Sequence, residues 1–204
     1  MNVSMNDKPT VQLKKADLQV DLDLKSLKNF KGVVLKKENI KDYAQFKQCH
    51  VALIGFDAEL IKVMHQTLAE ASFVKLFCER PQWVLQHNQS LFSVLAPLKS
   101  EKVDALRQSN ERSGVFKLAK DDAGLSIAIK KAKKNLSKIK DKWLARQLTP
   151  NHLSEQHRFI LDDHFYQDIQ DPRLKVITWP MVVIEDDGIL TMEGIKHMVD
   201  VIII

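Results

Sequence analysis

The chain has 204 residues, 45% hydrophobic and 28% charged, with a formal net charge of +5. That is the balance of a globular protein able to bury a core, and six Gly and six Pro exclude collagen-like and Pro/Gly-rich disordered classes. No apolar run reaches the about 18 residues of a membrane span, and the polar start with Lys8, Lys14 and Lys15 is no secretory signal.

Residues 1–16 read as a solvated tail. Leu18–Leu24 alternates like a strand, and the run from Phe30 through Gly32 to Leu35 is a second strand candidate. The clearest unit follows. His50–Ile54 is a short apolar run ended by Gly55, as a buried parallel strand reads. Asp57 stands where a helix N-cap belongs, and Leu60, Ile61, Met64 and Leu68 recur at helical spacing. Phe73–Phe77 is the next strand, closed by Pro81, which completes a βαβ unit. Leu91–Leu95 reads as strand or loop, Val103–Leu106 as the start of a helix, and Val115–Leu118 is ambiguous.

One long helix is expected from about Leu125 to Leu148, ended by Pro150. Ile129, Ala132, Leu136, Ile139 and Trp143 form its apolar stripe, and seven lysines between Lys130 and Lys142 fill the rest. With Trp143 in the stripe, the lysines have no interleaved aromatic residue. The first reading is a solvated face and the second a contact with an anionic partner. Strands are then expected at Leu174–Trp179, Val182–Ile184 and Ile189–Met192 as an antiparallel meander, with Asp186-Asp187-Gly188 and Glu193-Gly194 as turn chemistry. The final run Val199–Ile204 is too apolar for a sheet edge and belongs inside the sheet.

Two cysteines, Cys49 and Cys78, are too few for a disulfide scaffold and read as reduced thiols, the usage of a cytoplasmic protein. His152, His157-Arg158 and Asp162-Asp163-His164 make a polar cluster, but their spacing matches no metal-ligand pattern, and no metal site is expected. No set of nucleophile and base shows local geometry for catalysis, so no catalytic residue is assigned.

His50–Gly55 with its helix and the stretch FVKLFCERPQWV resembles the nicotinamide-dinucleotide domain of class B flavin-dependent monooxygenases, which include flavin-containing and Baeyer–Villiger enzymes. Gln147–Asn151, His157–Tyr166, Asp171-Pro172 with LKVITWP, and Val199–Ile202 continue the resemblance in order. Phe30 and Gly32 stand where the Baeyer–Villiger sequence F-x-G-x-x-x-H-x-x-x-W begins, although its His and Trp positions hold Lys36 and Ile40.

The resemblance implies an α/β fold, a Rossmann-like parallel sheet with flanking helices and a late antiparallel β-meander insertion, over 17–204 as a single NADPH-domain-like unit. It also implies a family chemistry in which NADPH reduces FAD and an oxygen atom from O2 enters the substrate. The family's nicotinamide turn reads roughly G-x-G-A-T-A, whereas this chain has Gly55-Phe56-Asp57-Ala58-Glu59-Leu60. Gly55, Ala58 and Arg80 are the residues carried over as a degenerate NADPH site. No G-x-G-x-x-G for FAD occurs, and residues before 30 are not expected to supply one.

Asp57 and Glu59 place carboxylates where a diphosphate would rest on helix N–H groups. A like charge about 4 Å away costs up to roughly 4 kcal/mol near a protein surface. That is on the order of a thousandfold in affinity. The expectation is therefore a truncated, degenerate monooxygenase-like protein without stand-alone catalysis. No cofactor is held, NADPH binding is weak, and FAD enters only if another chain supplies it. The partners this implies are a chain carrying the flavin half or a second copy. The alternative is a non-enzymatic binding or scaffold protein, with nucleic acid or an anionic membrane surface meeting the Lys130–Lys142 helix as the lesser expectation.

Overall fold

The computed structural model describes residues 26–86, 114–119, 124–151 and 156–204. The tail over 1–16, the Leu18–Leu24 strand, Leu91–Leu95, Val103–Leu106 and His152 lie outside the described residues.

In chain order the described elements begin with strand β1 (Val33–Leu35), β2 (His50–Ile54), helix α1 (Ala58–Glu70), β3 (Phe73–Phe77), β4 (Trp83–Leu85) and β5 (Val115–Ala119). Helix α2 (Leu125–Leu136), α3 (Lys142–Gln147), β6 (Gln156–Leu161) and α4 (Phe165–Asp168) follow. The last strands are β7 (Leu174–Ile177), β8 (Met181–Ile184), β9 (Gly188–Thr191), β10 (Lys196–Met198) and β11 (Val201–Ile203). A five-stranded parallel sheet runs β1-β11-β2-β3-β7, and β10-β9-β8 form an antiparallel meander. A third sheet, β4-β6-β5, joins one parallel and one antiparallel pair.

The parallel sheet is covered on both faces, which is why its central strands are mostly apolar, with Lys75 of β3 and His50 of β2 as the polar positions. On one face, Val51, Leu53, Val74, Leu76, Val201 and Ile203 meet Leu60, Ile61, Met64 and Leu68 of α1 in one buried cluster. The same cluster reaches Leu85, Leu118, Phe159, Ile160 and Leu161 of the third sheet and Ala128, Ala132 and Leu136 of α2. On the other face, Ala52, Phe77, Ile177 and Ile202 meet Ile184 and Ile189 of the meander, with Phe30 and Val199. The expected Rossmann-type sheet, its βαβ unit and the internal place of the last strand are all present.

Phe30 and Gly32 have a packing role. A Cβ on Gly32 would lie 2.4 Å from the Asp200 carbonyl oxygen and 2.6 Å from the Phe30 ring. Only glycine lets β1 start this close to the approach to β11, where Val33 N–H donates to Asp200 O at 3.0 Å.

Val115–Leu118, whose pattern left its element open, is a strand, β5. Two expectations are corrected. The single helix over Leu125–Leu148 is two: α2 stops at Leu136, Ile139 turns into the core with 0% exposure, and the Asp141 carboxylate accepts from Trp143 and Leu144 N–H to start α3. The recap rotates Trp143 off the stripe into solvent, 61% exposed. Finally, β7 pairs with β3 at the edge of the parallel sheet, and the third strand of the meander is β10. Lys-His-Met has little strand pattern, because the one residue it buries is His197.

The meander closes tightly. A Cβ on Gly188 would lie 2.5 Å from the His197 carbonyl oxygen across the β9–β10 pair. Gly188→Ala should therefore cost about 1–3 kcal/mol, read as a lower urea midpoint at unchanged slope.

Candidate functional site

The β2–α1 turn sits at the C-terminal edge of the parallel sheet, where open α/β sheets take their ligands. Gly55 makes it with φ +121°, a backbone region that favours glycine, and its N–H donates to Phe77 O at 3.0 Å. This bond ties the turn to the end of β3. Phe56 does not face a ligand: its ring is buried edge-on against Phe165 at 5.5 Å, and its carbonyl accepts from Gln82 Nε2 at 3.2 Å. Ala58 is buried too, close enough to Gly114 that a Cβ there would sit 3.4 Å from its own.

The start of α1 is capped from within. Asp57 Oδ1 accepts from Glu59 N–H at 3.0 Å and Leu60 N–H at 2.9 Å. These are donors of the kind that a dinucleotide turn offers to a diphosphate. The other oxygen, Oδ2, accepts from Lys37 Nζ at 2.7 Å, and Lys37 also lies 3.7 Å from Glu59 Oε2. Lys37 is positioned by its own backbone, whose N–H donates to Ile204 O at 2.9 Å, and its side chain is 19% exposed. Burial, and then the Glu59 charge, push the nearby Tyr43 phenol above its ordinary value. The turn thus carries two carboxylates with one half-buried cation between them. Lys37, twenty residues upstream through a separate short turn, has no local signal in the sequence.

Arg80 is exposed beyond the end of β3, and its guanidinium makes no ion pair among the described residues. Its neighbour Glu79 is a tether: Oε1 accepts from Met181 N–H at 3.0 Å and fastens β3 to the start of β8. Cys78 is buried, and burial, then the Glu79 charge, push its thiol well above the ordinary value, so it is no nucleophile at neutral pH. Of the three residues carried over for NADPH, Gly55 and Ala58 share the turn and Arg80 stands outside it.

The polar cluster around Asp162 and His164 gains His65 from far off in sequence and Asp168 from one helical turn on. His65 of α1 places Nδ1 3.0 Å from Asp168 Oδ2, and its ring stacks on His164 at 4.9 Å. Asp162 Oδ1 caps α4 by accepting from His164 and Phe165 N–H. Burial pushes the Asp168 carboxyl above its ordinary value, against the pull of His65. Among the described residues, no three His, Cys, Asp or Glu side chains converge to hold a metal ion.

His197 is the buried titratable group of the meander. It is 4% exposed, edge-on to Phe77 at 5.5 Å, and its Nε2 has no hydrogen-bond partner, with Glu193 Oε1 3.8 Å away. Burial, then the Lys175 and Lys75 charges, hold its pKa below the ordinary 6.5, and Glu193 opposes them only in part. The unfolded chain therefore binds this proton more readily than the folded one. Stability present above pH 6.5 should be lost as pH falls through the folded value, at a slope of at most about 1.4 kcal/mol per pH unit. His197→Leu should flatten that slope in urea titrations between pH 7 and 5. Asp168, with its raised value, contributes with the opposite sign, so the comparison of the two proteins isolates His197.

In sequence and in fold the chain resembles flavin-dependent monooxygenases, Baeyer–Villiger enzymes among them. It is 25% identical to an uncharacterized monooxygenase of Mycobacterium tuberculosis over 185 residues, 87% of this chain and 37% of that protein. It is 24% identical to a Baeyer-Villiger monooxygenase of Pseudomonas aeruginosa over 189 residues, 88% of this chain and 36% of that one. Cyclohexanone monooxygenase from Rhodococcus sp. Phi1 bound to NADP+ superposes with TM-score 0.64 at 16% identity, over 87% of this chain and 42% of that chain. Oxidized steroid monooxygenase bound to NADP superposes with TM-score 0.60 at 15% identity, over 87% and 42%. No family model matches the chain. The chain spans 37% of the length of the first curated relatives it matches. Among the described residues, no helix is long and apolar enough to cross a membrane.

Proposed function

We propose that this chain is the nucleotide-domain part of a class B flavin monooxygenase-like protein, folded over 17–204 as one unit, whose dinucleotide turn is closed by its own side chains. It performs no flavin monooxygenation alone. The observation that carries the reading is Asp57 Oδ1 accepting from both Glu59 and Leu60 N–H while Oδ2 holds Lys37. A diphosphate seated there would displace a carboxylate from two charge-assisted hydrogen bonds and separate an ion pair at 2.7 Å. It would also approach Glu59. The residues present at this turn do not fit the diphosphate of a dinucleotide.

The test is a titration of the purified chain with NADPH, with its visible spectrum recorded first. The expected preparation is colourless, and the expected titration shows no saturation in the micromolar range. A yellow, flavin-loaded protein or micromolar NADPH affinity would overturn the reading. Mixing with a separately expressed flavin-binding chain and following NADPH oxidation tests the partner that the resemblance implies. The second reading, a non-enzymatic binding protein, is favoured by one observation, the exposed Trp143 among lysines.

A further inference from the structure

The break between α2 and α3 creates a surface that a continuous helix would not have. Between residues 130 and 146 stand eight basic side chains and one acid, a local net charge of +7 in a chain whose total is +5. The remainder of the chain is thus net negative, and positive charge is concentrated on one stretch. That acid, Asp141, is engaged in capping α3.

The lysines are turned outward by the packing of α2. Ala128, Ala132 and Leu136 are buried, while Lys130, Lys133 and Lys134 are exposed and make no ion pair with any described carboxylate. Burial, then the neighbouring Lys134 charge, push the Lys131 ammonium below its ordinary value. Lys138 and Lys140 are exposed through the break, and Arg146 is exposed on α3. Lys142 folds back, its Nζ donating to Ser137 O at 3.4 Å and Ile139 O at 3.3 Å, the last carbonyls around the end of α2. Beside it, Trp143 lies 61% exposed. An indole left in water amid cations, off the buried stripe, has the composition of an interfacial anchor.

We infer that the α2–α3 surface docks on an anionic lipid headgroup layer, the lysines facing the lipid phosphates and carboxylates and Trp143 entering the headgroup region. Lysine point charges suit a diffuse anionic surface, whereas the planar guanidinium that reads phosphate and bases bidentately is represented once, by Arg146. Trp143 is also the one aromatic residue between Leu125 and Pro150, so no stacking platform for successive bases is present there. The inference goes beyond the reading of the β2–α1 turn and holds whether or not that turn takes a dinucleotide.

The full chain is mixed with vesicles of phosphatidylcholine alone and with about 30% phosphatidylserine, at about 0.15 M salt, and partition is read by sedimentation. Binding is expected to the anionic vesicles only. Replacing Lys130, Lys133, Lys134 and Lys140 together by Gln should weaken it by about tenfold or more. Trp143→Phe, compared with the parent protein, should remove a blue shift of emission on binding, and Trp143→Ala should weaken partition several-fold. Circular dichroism checks that each variant is folded. Absence of partition, equal partition on neutral vesicles, retention by the four-Gln variant, or tighter binding to a single-stranded oligonucleotide than to anionic vesicles would each overturn the inference.

Discussion

Asp57→Gly combined with Glu59→Thr should raise the affinity for NADPH by about a hundredfold, from no measurable saturation to a micromolar range. The change frees Glu59 and Leu60 N–H, the two amides that Asp57 Oδ1 now holds. It also leaves Lys37, today bound to both carboxylates, as an uncompensated cation beside the helix start. The turn passes from net −1 to net +1, counting Asp57, Glu59 and Lys37. The cost is the lost N-cap of α1, about 1 kcal/mol of stability. Calorimetric titration at low and high salt checks the affinity and its electrostatic origin. Lys37→Gln is the counter-experiment: it keeps the cap, leaves two carboxylates without their cation, and should give no NADPH binding at all. If the double variant gained nothing, the carboxylates would not be what closes the turn, and the buried Phe56 and the outlying Arg80 would have to account for it.

Lys37 also shows what the sequence could not carry. The βαβ unit was legible because its signals are local: an apolar run ended by Gly55, a capping Asp57, and a helical period through Leu68. Its acidic turn was legible too, but as two bare carboxylates. The cation that pairs them is fixed by a short turn after β1 and by the end of β11, elements that meet only in the folded sheet. The His65–Asp168 pair is hidden for the same reason, since its partners are 103 residues apart. The helix break is a different failure. Ile139 keeps the numerical spacing of the stripe and is indeed buried, so periodicity alone runs straight through a turn that Asp141 ends by starting a new helix. The third strand of the meander escaped because its inward residue is a histidine, which carries no apolar signal.

That histidine sits against the residue whose removal should do most damage. Phe77→Ala is expected to cost about 3–5 kcal/mol. Phe77 is 1% exposed and fills the layer between the parallel sheet and the meander, with Ile184 and Ile189 opposite and the His197 ring edge-on. Truncation leaves a cavity that β9 cannot close, because Gly188 already holds β9 and β10 at closest approach. For a chain of this length the loss should lower Tm by roughly 6–20 °C. Its effect should also be local before it is global. Water reaching the cavity would hydrate His197, bring its proton affinity back toward the ordinary value, and flatten the pH dependence that the parent protein shows below pH 6.5. Amide exchange at Ile184 and Ile189 should quicken more than at Val51 and Leu53, which face the other side of the sheet. Phe77→Leu, which keeps most of the volume, should lose only about 1 kcal/mol and retain the pH slope. A loss of similar size in both variants, or an unchanged slope in Phe77→Ala, would mean that the aromatic ring is not what keeps His197 dry. The meander would then be held by its edges, through Glu79 on Met181 and Lys31 on Asp186, rather than by its core.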